Sequence, residues 1–464
     1  METQYLTADI PGTGGRLKLR PEDFVVDEIP LYEPCGTGTH SYFRIRKVGL
    51  TTPAAIDRLA RLLGVSPAVV GAAGMKDAQA VTTQTLSVEH VDGERLQGFD
   101  DGKLTVLTVS RHGNKLKTGH LRGNRFSLKI RAPESGSLAP SRPWAEAPAT
   151  SRPWAEAPAT SRPWAEAPAT SRPWAEAPAT SRPWAEAPAT SRPWAEGAAA
   201  TASGVLSVLE RRGVPNLFGV QRFGARGDTA ALGAALASDD ADRFLSLFLG
   251  GPKDGDPPDC RRARQHYDAG ELDAALDAWP RNRRDERAAL SVRIRTGDAG
   301  RAAAAVDRRM SKLYVSAFQS LLFNEILETR LPDIDRLMVG DLAQKTDTGG
   351  VFAVCDLDAE QPRCDAFAIS PTGPIFGARC NLADGEPGRR EREVMALHGI
   401  PEGQLKKAMG MKLPGGRRAL RFRIEGVTVE PGSDDAGPFV AVSFSAPSGC
   451  YATVVLSEIM KTGV

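Results

Sequence analysis

An α+β fold is predicted, with strand-forming segments at both ends of the chain and a helical middle. Three observations carry this. Arg125 to Arg131 alternates strictly, with Phe126, Leu128 and Ile130 on one side and Arg125, Ser127, Lys129 and Arg131 on the other. Met310, Leu313, Tyr314, Ala317, Phe318, Leu321 and Leu322 recur at helical spacing, marking a long amphipathic helix to about Thr329. Strands then return at Leu420-Arg-Phe-Arg-Ile424 and Phe439-Val-Ala-Val-Ser-Phe444. Strands on either side of a helical middle imply a first domain interrupted by an insertion.

Taken in order, Phe24-Val-Val26 and Tyr42-Phe-Arg-Ile-Arg46 alternate as strands do. Thr51-Thr52 with Pro53 starts a helix, Ile56, Leu59 and Leu63 form its apolar stripe, and Gly64 ends it. A glycine-led turn holding Lys76 and Asp77 precedes a Thr/Gln-rich polar strand. Beyond residue 200, alanine-rich stretches near 230 and at 272–278 read as helices.

Between the two halves runs a tandem array. Ser-Arg-Pro-Trp-Ala-Glu-Ala-Pro-Ala-Thr begins at 141, 151, 161, 171 and 181, and a broken sixth copy covers Ser191 to Glu196. Two prolines per copy forbid a continuous helix, and one Trp per ten residues offers too little apolar surface for a packed repeat. A polyproline-like disordered linker over 141–200 is expected, leaving Trp279 as the one tryptophan of the folded body. The expected division is 1–140, the linker, an insertion domain over 205–417, and a return to the first domain over 418–464.

The 464 residues are 41 % hydrophobic and 25 % charged, which excludes a disordered or collagen-like chain. No long apolar run predicts a membrane span, and Met1-Glu-Thr-Gln-Tyr-Leu6 has neither the basic nor the apolar region of a secretory signal. Six cysteines at 35, 260, 355, 364, 380 and 450 lack paired spacing, so reduced thiols in a cytoplasmic protein are expected, with no metal site. The net charge of +2 hides an asymmetry: Gly102 to Arg131 and Gly403 to Arg423 each carry many Lys and Arg and no acid. Such stretches predict a face for a polyanion, and a strand basic along one side suits a phosphate backbone.

No P-loop, nucleophile elbow or zinc-protease helix is present. Gly12, Gly14 and Gly15 form a turn rather than a dinucleotide loop. From the residues alone, Lys76-Asp77 reads as a solvated pair or a cap far sooner than as a catalytic pair.

Seven segments, in order, resemble the TruD-type tRNA pseudouridine synthases. They are Pro21-Glu-Asp-Phe24-Val, Gly74-Met-Lys-Asp77 with Ala80-Val-Thr82 and Gln84, Gly123-Asn124-Arg-Phe126, and Pro215-Asn-Leu-Phe-Gly-Val-Gln-Arg-Phe-Gly224. Phe318-Gln-Ser-Leu-Leu-Phe-Asn324, Ser370-Pro-Thr-Gly-Pro374 and Pro447-Ser-Gly-Cys-Tyr-Ala-Thr453 follow in the same order. Leu217 and Phe318 stand where the family usually has Tyr, and Ala446 where Leu is common; the decapeptide array has no counterpart.

The resemblance implies a pseudouridine synthase core with a mixed or antiparallel sheet, plus an inserted α+β domain. It implies isomerisation of uridine, typically at position 13 in the tRNA D-arm, with no cofactor and no metal. Asp77 would be the catalytic residue, ionised by a nearby cation for which Lys18 and Lys76 are both candidates. Phe24, Asn124 and Phe444 would line the pocket of the extruded base, by stacking and by contacts to the uracil edge. The expected partner is tRNA, with no membrane, and the expected state is a monomer. A non-catalytic RNA-binding relative is the alternative, but such a chain should have lost the Asp77 carboxylate. Action on another RNA is compatible with the same residues.

Overall fold

The computed structural model describes residues 4–133, 192–400 and 413–462. Within these, the chain forms two compact units, one built from 4–133, 192–214 and 422–462, the other from 215–400 and 413–421. The first is discontinuous in sequence. The second runs from Pro215 to Arg421, against the 205–417 expected for the insertion.

The first unit is organised on one eight-stranded sheet. Its strands are β1 (Phe24–Pro30), β2 (His40–Val48), β3 (Gly71–Ala72), β4 (Val81–Glu89), β5 (Leu104–His112), β6 (Leu121–Arg131), β7 (Glu425–Asp434) and β8 (Gly437–Pro447). Their order is β7-β8-β6-β1-β4-β2-β5, with β3 on β4. β1 and β4 run parallel, and the other pairs are antiparallel, so the sheet is mixed.

Helix α1 (Thr52–Leu63) forms as its sequence dictates. The Thr51 hydroxyl accepts the Ala54 N–H at 3.2 Å, and Gly64 closes the helix in the left-handed region at φ 72°. Its Leu59, Ala60 and Leu63 pack on Phe43, Ile45, Leu86 and Val88 of β2 and β4. Elsewhere on the sheet, α2 (Arg192–Arg212) packs on β7 and β8, and α3 (Ala452–Met460) packs on α2. Buried Glu458 of α3 accepts the Leu6 N–H at 2.8 Å and the Thr7 hydroxyl at 2.6 Å, fastening the N-terminal segment to the C-terminal helix.

Two expectations are corrected here. Helix α2 begins at Arg192, inside the last decapeptide copy, so the linker does not extend to residue 200. Ala195, Ala198, Ala199 and Ala202 are buried and Trp194 is half-buried, so Trp279 is not the sole tryptophan of the folded body. The reason is local: no proline occurs from Trp194 to Val214, and a proline in the first helical turn is tolerated. The rest of the array, residues 141–191, lies outside the described residues.

The second correction concerns the basic strand. Arg131 is almost fully buried, with Nη2 2.5 Å from Asp23 and Nη1 2.7 Å from Asp434. Lys129 reaches Asp434 at 2.9 Å. These cations hold strand ends together, and only Arg125 and Arg122 of β6 face outward unpaired among the described residues. Lys406, Lys407 and Lys412 of the second basic stretch lie outside the described residues.

The second unit joins helices to a small antiparallel sheet of order Gly416–Ala419, Ile369–Ile375, Leu342–Lys345, Val351–Ala353. The expected long helix spans Arg308–Arg330 and the alanine-rich stretches form Thr229–Ala237 and Leu272–Ala278. Three of the seven segments meet in this unit. Asn324 accepts the Phe218 N–H at 2.8 Å and donates to its carbonyl at 3.0 Å, while the Asn216 amide donates to Ala419 at 2.8 Å. These residues fix an irregular loop that neither periodicity could describe.

Candidate active site

The site is built where β1 leaves β4. The two strands pair only from Val25–Val81 to Asp27–Thr83, after which β4 continues beside β2 and is joined by β3 at Leu86 and Ser87. The Thr85 N–H, which β1 no longer reaches, donates instead to the Glu28 carboxylate at 2.9 Å. The other Glu28 oxygen lies 2.8 Å from the Lys76 ammonium, and both side chains are buried. Glu28 thus replaces a strand acceptor and anchors the glycine-led turn in one residue.

The rest of the turn is held as tightly. The Lys76 N–H donates to the Thr52 hydroxyl at 2.8 Å, and that hydroxyl donates to Gln84 Oε1 at 2.9 Å. Lys47, with no exposure, donates to the Asp77 carbonyl at 2.9 Å and the Leu50 carbonyl at 2.5 Å. Burial pushes the Lys47 amine down to about 8, although the Asp77 carboxylate favours its charged form. With backbone and neighbours fixed in this way, the Asp77 side chain has a defined direction.

That side chain meets Lys18. The Lys18 ammonium contacts Asp77 Oδ2, and the Gln79 N–H donates to Oδ1 at 3.0 Å. The Lys18 side chain is 8 % exposed and that of Asp77 39 %, so the cation is sequestered while the carboxylate reaches solvent. Burial works to raise the Asp77 pKa, but Lys18 and the Gln79 N–H outweigh it and the carboxyl lies below its usual value. Lys18 itself sits in the left-handed region at φ 54°, beyond a glycine turn whose Arg16 pairs with Arg131 through two backbone hydrogen bonds of 2.9 Å.

The strand register adds the remaining groups. Asn124 lies opposite Glu28 and Ala446, and Phe126 opposite Val26 and Phe444, so these residues share one face with Phe24. Lys18 Nζ stands 4.3 Å from the Phe24 ring centroid, and Phe24 meets Phe126 edge-on at 6.5 Å. Asn124 Oδ1 is buried without a hydrogen-bond partner among the described residues. A Cβ at Gly123 would strike the Ala446 carbonyl, which explains the glycine that precedes Asn124.

Of the expected residues, Lys18, Phe24 and Asp77 come together directly. Lys76 does not meet the Asp77 carboxylate: it is engaged by Glu28, which leaves Lys18 as the ionising cation. Phe444 is fully buried, 5.3 Å from Phe126, and backs that ring rather than presenting a face of its own. Sequence reasoning does not single out Glu28, Lys47, Thr52 or Phe126 as parts of the site. Phe126 was legible in the Gly-Asn-x-Phe segment, whereas Glu28 and Lys47 look like any charged strand residue until the register is known.

Comparison with known proteins identifies the family. A family model described as tRNA pseudouridine synthase D (TruD) matches residues 1–142 and 191–459. The chain belongs to the TruD family. The intervening residues, which hold most of the decapeptide array, fall outside the match. A tRNA pseudouridine synthase D of Geobacter sulfurreducens is 38 % identical over 461 residues, covering 99 % of this chain and 97 % of that one. One from Syntrophotalea carbinolica is 34 % identical over 460 residues, with 99 % of each chain covered. The crystal structure of a Methanosarcina mazei protein assigned to TruD shares the fold, with a TM-score of 0.76 at 24 % identity over 99 % of this chain and 96 % of that one. Among the described residues no helix is long and apolar enough to cross a membrane, and no cluster of three or more His, Cys, Asp or Glu is placed to hold a metal.

Proposed function

We propose that the protein isomerises uridine to pseudouridine in tRNA, at position 13 of the D-arm, with Asp77 as the catalytic residue. The observation that carries this is the Asp77 carboxylate: buried Lys18 keeps it ionised, it is open to solvent, and its backbone is held by Lys47. An ionised carboxylate serves either as nucleophile or as base while the N1–C1′ bond breaks, the uracil turns and C5 bonds to C1′.

The substrate base must leave its stack, at a cost of a few kcal/mol. Phe24 and Phe126 supply aromatic surface beside the carboxylate. The orphaned Asn124 Oδ1 is an acceptor suited to the uracil N3–H, and that hydrogen bond would relieve an unsatisfied buried group. Lys76, bound to Glu28, acts on the shape of the turn, and Phe444 acts through Phe126. Working without a cofactor, as a monomer in the cytoplasm, belongs to the same reading.

The test is conversion of a tRNA transcript by the purified protein, with pseudouridine mapped at nucleotide resolution. Pseudouridine at position 13 supports the reading; modification only at other sites removes the D-arm assignment. No pseudouridine at all would overturn the activity.

A further inference from the structure

A cavity of about 280 Å³ opens on the same sheet, near the lower end of small-molecule sites. Tyr42, Arg44, Thr85, Thr108 and Ser110 line it. In the register Tyr42 lies opposite Ser110 and Arg44 opposite both Thr85 and Thr108, so these side chains share one face of β4, β2 and β5. Ile45 and Lys47, one and three positions on from Arg44, take the other face, where Lys47 holds the Asp77 carbonyl. Asp77, Lys18 and Phe24 do not line the cavity. It shares Glu28 with the reaction site, and Ala73, which precedes the catalytic turn, closes one side.

We propose that this cavity is a second base-binding pocket, which holds a nucleotide of the RNA adjacent to the target uridine. The inference rests on the tRNA-modifying reading above and deepens it. Extruding one base leaves its neighbours unstacked, and enzymes that flip bases contact those flanking nucleotides. The cavity has the chemistry for one. The hydroxyls of Thr85, Thr108 and Ser110 form no hydrogen bond with any described residue, and the exposed Arg44 guanidinium has no acidic partner among them. Serine, threonine and arginine are donors that read base edges. Tyr32 at the rim lies stacked on His112 at 4.9 Å and is joined through its hydroxyl to His120 at 2.7 Å, giving a fixed aromatic wall. The lining joins the Arg44 cation to the Glu28 and Glu33 carboxylates, with Ser110 and His120 from the acid-free stretch Gly102 to Arg131, so donors and acceptors stand together as the edge of an uncharged base requires.

The experiment pairs changes on both molecules. Transcripts of the tRNA, each with one abasic ribose at a nucleotide within two of the target, are titrated against the parent protein and against Thr108→Val/Ser110→Ala. The parent is expected to lose about tenfold in affinity at one abasic position, the scale of one base recognised by hydrogen bonds. The variant should bind intact RNA about tenfold more weakly and lose little more at that same position, because its pocket no longer holds the base. Equal losses in parent and variant at every abasic position, or none in either, would overturn the proposal. A thermal melt confirms that the variant is folded, and Tyr32→Leu, which alters the wall from another segment, should show the same coupling if Thr108→Val/Ser110→Ala melts early. Conversion of intact tRNA by the parent is scored separately, so a failure of the activity is not confused with a failure of the pocket.

Discussion

Lys76, the chain neighbour of Asp77, turns away from it and places its ammonium 2.8 Å from the buried Glu28 carboxylate. Adjacent residues therefore serve opposite ends: one seals the turn into the sheet and the other projects from it. The cation for Asp77 comes instead from Lys18, far away in sequence.

Replacing Asp77 by Asn keeps the side-chain shape and removes the charge. Single-turnover conversion of tRNA should fall by about 10²–10⁴ or more, with RNA binding by filter assay nearly unchanged. Substantial remaining conversion would remove Asp77 from the chemistry.

Lys18→Met should move the acid limb of the pH–rate profile upward. The Asp77 carboxyl lies below its usual value chiefly because Lys18 outweighs burial, so loss of Lys18 leaves burial to raise it. In the parent, the stability from this group is full above the unfolded pKa of about 3.9 and is lost as pH falls through the lower native value. Lys18→Arg retains the charge and should restore much of the parent profile. An acid limb that does not shift in Lys18→Met would show that another group ionises Asp77.

Breaking the buried pair should destabilise the first unit. Lys76→Met strands the Glu28 carboxylate, with a cost of roughly 3–5 kcal/mol, and Glu28→Gln weakens the same interaction. The double variant Glu28→Leu/Lys76→Met should melt above Lys76→Met alone, since it leaves no stranded charge, yet convert tRNA slowly because the turn has lost its anchor. Melting temperatures and single-turnover rates separate the two effects.

The cations of β6 should divide into two kinds. Arg125→Ala, at an exposed position, should flatten the log–log salt dependence of tRNA binding by about 0.9 for each duplex phosphate no longer neutralised, with the melt unchanged. Arg131→Ala should lower the melting temperature, because it uncouples Asp23 from Asp434. A melt that is unchanged for Arg131→Ala would contradict this division.

Excision of 141–190 with Pro140 joined to Ser191 should leave conversion close to the parent rate, since the family match omits most of this stretch. A deletion reaching Gly204 should instead unfold the first unit, because it removes the buried Ala195, Ala198, Ala199 and Ala202. Equal activity of the two shortened chains would show that the start of α2 is dispensable.

Much of this protein was determined by local sequence. Thr51, Pro53 and Gly64 bound α1 because caps and backbone freedom act within a few residues. The alternation of Phe126, Leu128 and Ile130 specified a strand and its buried face, and the turn around Asp77 was visible as a segment. Tertiary structure alone decided what the charges do. Alternation along β6 puts Arg125, Lys129 and Arg131 on one side and cannot separate them further. Only the folded chain leaves Arg125 in water while Arg131 meets Asp23 and Asp434. Nor can spacing tell that Glu28 takes Lys76 while Lys18 takes Asp77. Ion pairs form between side chains that strand register and chain crossings bring together, and their partners lie tens to hundreds of residues apart.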